Sequence, residues 1–228
     1  MMLERAPDQL ASWVDQKCRE LSSSPEARRY ARLRRDELVK KFYEELRPLS
    51  LFAQHCHSGR NDVYCQPNLN KRDNFDAVIR NCSTTPETIL FIQFTSTTES
   101  YEESLRMEVL NEGGSVNALG KVKVKGTRVT GHTIEVENEC VLHSEVVGKN
   151  LRLIKERAQE KAKREHSEQH VLVIVIDDYF AFTSDEDIAT LKDFVEWVVI
   201  SPKLDFKTLY LLGASGKTLL RFELPKYR

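Results

Sequence analysis

The sequence predicts a mixed α/β fold, in which helices flank a sheet that contains both parallel and antiparallel strands. Segments with a helical spacing of apolar residues alternate along the chain with short β-branched runs. The run at residues 171–176 is apolar on both faces, which is typical of an interior strand covered by helices. The length of 228 residues predicts one domain over residues 1–228. We expect a helical N-terminal segment over about residues 1–50 and an inserted hairpin over about residues 119–139.

The composition and the cysteine pattern predict a cytoplasmic protein without a membrane span. Charged residues make up 30% of the chain, and the longest aliphatic run is too short to cross a bilayer. The first residues carry charges where a signal peptide needs an apolar stretch. Five scattered cysteines favour free thiols over a disulfide framework. Because the net charge is only −1, contact with nucleic acid must depend on local basic patches.

The N-terminal part of the chain is predicted to be helical. Residues 7–21 have the pattern of a short amphipathic helix. Ser24 then provides an N-cap for the next helix, Pro25 occupies its first position, and Glu26 interacts favourably with its dipole. A longer helix follows, whose apolar stripe consists of Ala27, Tyr30, Ala31, Leu38, Phe42, Leu46 and Leu49. We expect Pro48 to help end this helix, and residues 55–70, rich in turn-forming residues, to form an irregular loop.

Two strand candidates, residues 75–80 and 88–95, predict an antiparallel hairpin that carries the most function-like side chains. Gln93 and Thr95 interrupt the otherwise apolar pattern of its second strand. Asp76 on the first strand meets this pair if the register aligns them. Because buried polar groups need partners, we predict a small polar site here, with a purely structural polar patch as the alternative.

The rest of the chain supplies a second hairpin, further helices and a closing strand pair. In the second hairpin, pairing of Lys123 with Glu135 places lysines opposite glutamates, although a lysine row is also a candidate for phosphate contact. The other predicted elements are helices over 99–111, 145–165 (capped by Ser144) and 184–199 (capped by Ser184), and strands over 171–176, 208–212 and 219–224.

Three other motifs have simpler structural interpretations. Residues 213–218 (Gly-Ala-Ser-Gly-Lys-Thr) have the wrong glycine spacing for a phosphate loop and precede a strand, so we predict a β-turn. Asp177 and Asp178 follow a buried strand, where carboxylates either meet ligands or cap the next helix. The donors His55, Cys56, His57 and Cys65 match the spacing of no zinc module, so we favour an ordinary loop over structural zinc.

Residues 73–76 (Asp-Asn-Phe-Asp) and 92–95 (Ile-Gln-Phe-Thr) resemble the motif of the PD-(D/E)XK nuclease-like (restriction-endonuclease-like) superfamily. An aspartate begins one strand, and a polar pair follows about seventeen residues later on the next strand of the hairpin. The resemblance spans about residues 26–176 and implies a core of helix, β-hairpin, strand, helix and strand. It also implies magnesium-dependent phosphodiester hydrolysis, in which the aspartate and an acid hold Mg²⁺ and a lysine positions or activates the attacking water.

In this comparison Asp76 keeps the acid, Gln93 replaces the acidic ligand and Thr95 replaces the lysine. The implied metal ligands are therefore Asp76 and Gln93, because a glutamine carbonyl also binds hard cations. Glu45 and Lys155 lie beside the apolar stripes of their helices and are candidates to replace the missing acid and lysine. The alternative for both is a charge at a helix boundary.

The resemblance thus implies a nuclease-like protein that hydrolyses nucleic acid with a metal ion, an interpretation that the sequence does not favour over the next one. The alternative is a catalytically inactive nuclease-fold module that binds nucleic acid or a protein partner. In this alternative the basic segments at residues 28–41 and 149–163 are the expected contact surfaces. A third interpretation is an α/β protein unrelated to the superfamily.

Overall fold

The computed structural model describes residues 4–70, 73–127, 131–138, 140–163, 169–200 and 204–224. Its helices are α1 (Pro7–Leu21), α2 (Pro25–Leu33), α3 (Glu37–Lys41), α4 (Arg47–His57), α5 (Ser100–Asn111), α6 (His143–Lys161) and α7 (Asp185–Phe194), with π-helical turns at Phe42–Leu46 and Val195–Val199. Its strands are β1 (Val63–Pro67), β2 (Ala77–Asn81), β3 (Thr88–Ser96), β4 (Val122–Thr127), β5 (Gly131–Val136), β6 (His170–Ile176), β7 (Thr208–Gly213) and β8 (Leu219–Glu223). The predicted mixed α/β class is confirmed.

The main sheet has the strand order β1-β2-β3-β6-β7-β8. The predicted hairpin is confirmed as the antiparallel pair β2–β3, in which Ala77 lies opposite Ile92. β6 pairs in parallel with β3 on one side and with β7 on the other, as expected for a strand that is apolar on both faces. The outer strands β1 and β8 run antiparallel to their neighbours.

Two hydrophobic cores cover the two faces of this sheet, because successive side chains of a strand point to opposite sides. On one face, α1 and α4 pack over Ile79, Ile92 and Val173. On the other face, α6 and α7 pack over Leu172 and Ile174. No described helix combines the length and the hydropathy that crossing a bilayer requires.

The single long helix predicted from residue 25 to Pro48 is wrong, because the chain breaks after α2. Arg34 has a left-handed backbone (φ 45°), and Asp36 then caps a new helix by accepting the N–H groups of Leu38 and Val39 at 2.8 and 3.2 Å. The sequence pattern did not predict this break, because Asp36, a typical N-cap residue, lies within an apolar stripe that continues across it. At the break, Arg32 of α2 and Arg34 at its C-cap lie beside the cleft described below.

Pro48 does not end the helix. It has no N–H to donate to the carbonyl of Glu44, and its ring excludes regular α-helical geometry at that point. The chain instead widens into the π-helical turn Phe42–Leu46, in which Arg47 N donates to Phe42 O, and continues as α4. Such turns often occur at functional sites, and this one carries Glu45.

The irregular loop predicted at residues 55–70 is also wrong. Its start belongs to α4, and residues 63–67 form β1, where buried Val63 and Cys65 alternate with exposed Tyr64. β1 pairs with β2 and so completes a meander of three antiparallel strands. The sequence pattern did not predict β1, because the strand is short and many turn-forming residues surround it.

The second hairpin is confirmed as β4–β5, with Lys123 opposite Glu135. Lys125 pairs with Glu135 at 2.8 Å, and Lys123 pairs with Glu137. These ion pairs are consistent with a sheet-stabilising role for the lysine row.

The predicted Ser144 cap is wrong, because α6 begins at His143 with Leu142 at the N-cap and no side-chain cap. The Ser184 cap of α7 is confirmed and forms a capping box with Asp187.

Candidate functional site

A cleft of about 760 Å³ lies at the carboxyl end of β3. We call it the acid cleft and define it by Glu45, Asp76, Thr95 and Arg157, which all line it. Its walls come from α2, the π-helical turn Phe42–Leu46, α5 and α6, and its floor includes residues at the ends of β3, β6 and β7. The carboxyl ends of parallel strands are a common ligand position in open α/β sheets.

Asp76 is fixed against β3 by both its main chain and its side chain. Its N–H donates to Ile92 O at 2.8 Å, and its Oδ2 accepts the N–H of Phe94 at 2.7 Å. The described residues provide no hydrogen-bond donor to the second oxygen, Oδ1. Within the described part of the chain, Asp76 thus has one carboxylate oxygen fixed by β3 and one without a donor, directly before β2, and a metal ligand needs such a fixed position.

Glu45 is half-buried beside Asp76. Its Oε2 lies 3.5 Å from Lys41 Nζ, and Lys41 also donates to Asn68 O at 3.2 Å. Burial, and next the negative charge of Asp76, raise the pKa of Glu45 to about 7, while Lys41 acts in the opposite direction. A raised pKa in a cleft with a second carboxylate is typical of functional sites.

Thr95 lines the acid cleft, as expected, but its side chain offers no positive charge. Arg157 on α6 brings a guanidinium to the same place: its Nε donates to Ser96 O at 3.2 Å, and Nη1 lies 3.1 Å from Glu160. We did not predict Arg157 from the sequence. The available signal was its position directly before Ala158, at the border of the apolar stripe of α6.

Gln93 is directed away from the acid cleft. It is only 2% exposed, and its Nε2 donates to Asn74 O at 2.6 Å and to Asn74 Oδ1 at 2.8 Å. Because both partners are oxygens, the amide nitrogen must face them. Its own Oε1 is consequently buried, and no described residue donates to it. Gln93 therefore anchors the segment before β2, and its carbonyl is not among the described groups lining the cleft.

Lys155 also lies outside the described lining of the acid cleft. It is half-buried on α6, two residues before Arg157. The structure thus brings Glu45, Asp76 and Thr95 together and leaves Gln93 and Lys155 apart from them. In place of Lys155, α6 brings Arg157 and Lys161 to the lining of the cleft, and Arg157 donates to Ser96 O, next to Thr95.

The predicted His and Cys donors occupy regular structure. His55, Cys56 and His57 end α4, where His55 Nε2 lies 2.8 Å from Gly216 O, and Cys65 is buried in β1. Burial raises the pKa of the Cys56 thiol to about 11 and that of Cys65 to about 12. Across the described residues, no group of three or more His, Cys, Asp or Glu side chains has an arrangement suited to a metal ion.

Asp177 and Asp178 stabilise turns. Asp177 Oδ1 accepts the N–H groups of Tyr179 and Phe180 at 2.9 and 3.1 Å. Asp178 Oδ1 accepts Ser215 N at 2.8 Å, and its Oδ2 accepts the Ser215 hydroxyl. Residues 213–218 therefore form the predicted turn between β7 and β8, held by an aspartate from the neighbouring strand end.

Comparison with protein families, curated proteins and solved structures found no match to this chain. At the end of β3, the residues that line the acid cleft include the carboxylates of Glu45 and Asp76, the hydroxyl of Thr95 and the guanidinium of Arg157. Carboxylate and hydroxyl oxygens are ligands of hard cations in proteins, and a guanidinium pairs with anionic groups.

Proposed function

We propose that the chain is a nuclease-like protein that hydrolyses phosphodiester bonds of nucleic acid with a magnesium ion. The observation that carries this proposal is the pairing of Glu45 with Asp76 in the acid cleft. Mg²⁺ is usually bound by one or two carboxylates, with water and substrate phosphate oxygens as the other ligands. Glu45 and Asp76 therefore fit such an ion without a third protein acid.

Each residue of the cleft has a distinct role in this proposal. Asp76, fixed by Phe94 N, and Glu45 hold the ion, which when bound supplies charge neutralisation and a more acidic water. Arg157 provides the positive charge that Thr95 lacks and pairs with a substrate phosphate. Gln93 anchors Asn74 and so holds the segment that carries Asp76. Asp76 remains the predicted ligand, and Glu45 replaces Gln93 as the second one.

The element order supports the same proposal. α4, the hairpin β1–β2, β3, α6 and β6 follow one another as helix, hairpin, strand, helix and strand, with α5 and β4–β5 inserted before α6. This order is compatible with the core that the resemblance to the PD-(D/E)XK superfamily implies when the meander β1–β2–β3 is taken as its hairpin and following strand. β1 supplies the strand that the sequence pattern did not predict.

The proposal is tested with labelled DNA and RNA, single- and double-stranded, incubated with the protein and Mg²⁺ or Mn²⁺. Asp76→Asn is the informative variant, because an amide oxygen can still accept the Phe94 N–H while the charge is removed. Exposed Asp193→Asn on α7 is the matched control. We expect metal-dependent cleavage by the wild type and by the control, and its loss in Asp76→Asn. Cleavage that survives Asp76→Asn would contradict the proposal.

A second candidate function is a catalytically inactive module with the same cleft. The observations that favour it are Thr95 in place of a lysine and the orientation of Gln93 toward Asn74. In this case the wild type binds nucleic acid in a salt-dependent manner but leaves it intact. Absence of binding even at low salt would leave a protein partner as the remaining alternative.

A further inference from the structure

A second cleft, of about 910 Å³, adjoins the acid cleft. We call it the α5–α6 cleft, since α5, α6 and the loop after β6 line it through Arg106, Lys149, Arg152 and Tyr179. Ser96, Thr98 and Glu103 line both clefts. The two clefts therefore adjoin over the carboxyl ends of the central strands, and we call the two together the groove. Glu45 and Asp76 line one part of it.

The charge of this groove is almost balanced. Among the described residues, six lysine or arginine side chains and five carboxylates line the acid cleft, and four of each line the α5–α6 cleft. Some of these groups neutralise each other, for example Lys149 and Glu99. A duplex carries one negative charge for about every 1.7 Å of its axis, and proteins that hold it depend strongly on lysine and arginine. A balanced groove is poorly suited to that charge density.

Exposed aromatic side chains occur in both parts of the groove. Tyr101, at the start of α5, is 70% exposed and lines the acid cleft. Tyr179 and Phe180, which follow β6, are 56% and 48% exposed and line the α5–α6 cleft. Unpaired bases stack on such rings, and this contact does not depend on net charge. Bases inside a duplex are already stacked on each other and cannot do so.

We infer that the groove binds single-stranded nucleic acid, with unpaired bases stacked on Tyr101 and Tyr179 on either side of Ser96 and Thr98. This inference rests on the proposed function and specifies its substrate as a single strand. Single-strand binding grooves of other proteins combine stacking aromatic rings with basic side chains, and the described residues of this groove include both. Arg152, exposed on α6, and Arg157 are placed to contact the phosphates between stacked bases.

The inference is tested by fluorescence anisotropy in EDTA, so that binding is measured without cleavage. The probes are labelled DNA and RNA strands of about 12 nucleotides, alone and annealed to their complements. The variants are Tyr101→Ala and Tyr179→Ala, with Tyr101→Phe and Tyr179→Phe as conservative replacements that keep the ring. Tyr64→Ala is the matched control, because Tyr64 is 36% exposed on β1 and lines neither cleft among the described residues.

We expect single strands to bind more tightly than duplexes, each alanine variant to lose about five-fold or more in affinity, and the phenylalanine and Tyr64 variants to bind like the wild type. Preferred binding of duplex, or alanine variants that bind single strands as tightly as the wild type, would overturn the inference. These binding results do not test whether the protein hydrolyses nucleic acid. Tight single-strand binding without any cleavage contradicts only the proposed chemistry, and cleavage restricted to duplex contradicts only the choice of substrate.

Discussion

Glu45 and Asp76 both line the acid cleft, and the pKa of Glu45 is raised to about 7, first by burial and then by the negative charge of Asp76. The two acids come from different layers of the fold. The π-helical turn Phe42–Leu46 directs Glu45 toward the strand end, and the bond from Phe94 N fixes Asp76 there. A proton or a metal ion relieves the repulsion between these two acids.

Replacing Glu45 by glutamine is expected to stabilise the metal-free protein at high pH. A carboxyl group whose pKa is higher in the folded chain than the ordinary 4.5 binds its proton more tightly in the folded state. Stability therefore falls as pH rises from about 4.5 to about 7, and the whole penalty is present above pH 7. Glutamine removes this penalty of about 1–3 kcal/mol.

Urea denaturation of the wild type and Glu45→Gln at about pH 5 and about pH 8 measures this difference. We expect a stability gain for Glu45→Gln at the higher pH and almost none at the lower. Glu196→Gln, at an exposed site of the π-helical turn Val195–Val199, is the control and should show no such pH dependence. An equal effect of Glu45→Gln at both pH values would contradict the burial and pairing of Glu45.

Restoring an acid at position 93 is expected to harm the protein. In Gln93→Glu, a carboxylate replaces the amide that donates to Asn74 O and Asn74 Oδ1. The buried carboxylate oxygens then face these two oxygens of Asn74 and have no N–H to donate to them. We expect a loss of about 1–3 kcal/mol in stability at neutral pH. Thermal denaturation checks this, with Gln66→Glu on the edge strand β1 as the comparison. A gain in magnesium affinity without loss of stability would contradict the orientation of Gln93.

Asp178→Ala is expected to destabilise the fold without removing a charged group from the acid cleft. It removes the acceptor of Ser215 N and of the Ser215 hydroxyl, which together hold the turn between β7 and β8. We expect a loss of about 1–2 kcal/mol by urea denaturation, with Asp193→Ala as a neutral control. A loss of metal binding with unchanged stability would instead place Asp178 in the chemistry.

Strong local patterns predicted much of the fold. Three such predictions were confirmed. The run that is apolar on both faces predicted β6 as an interior strand, the turn-rich connection predicted the β2–β3 hairpin, and the charge alternation predicted the β4–β5 hairpin. β1 and the break at Arg34 were missed for the opposite reason. β1 is short and surrounded by turn-forming residues, and the apolar stripe continues across the break.

The candidate site was only partly predictable. Strand alternation placed Asp76 and Thr95 at one strand end, and the helix stripe placed Glu45 toward the sheet. The direction of Gln93 depends on Asn74, and the choice of Arg157 over Lys155 depends on the rotation of α6 against β3. Both are tertiary relationships, which periodicity within one element does not specify.

The most direct test of the account is calorimetric titration of the protein with Mg²⁺ and with Mn²⁺ at about pH 8, repeated at about pH 6. We predict that the wild type and Asp193→Asn bind a single ion, that binding weakens at the lower pH because Glu45 retains its proton, and that Asp76→Asn loses it. Absence of binding by the wild type at the higher pH, or binding by Asp76→Asn equal to that of the wild type, would contradict the assignment of Glu45 and Asp76 as a metal site.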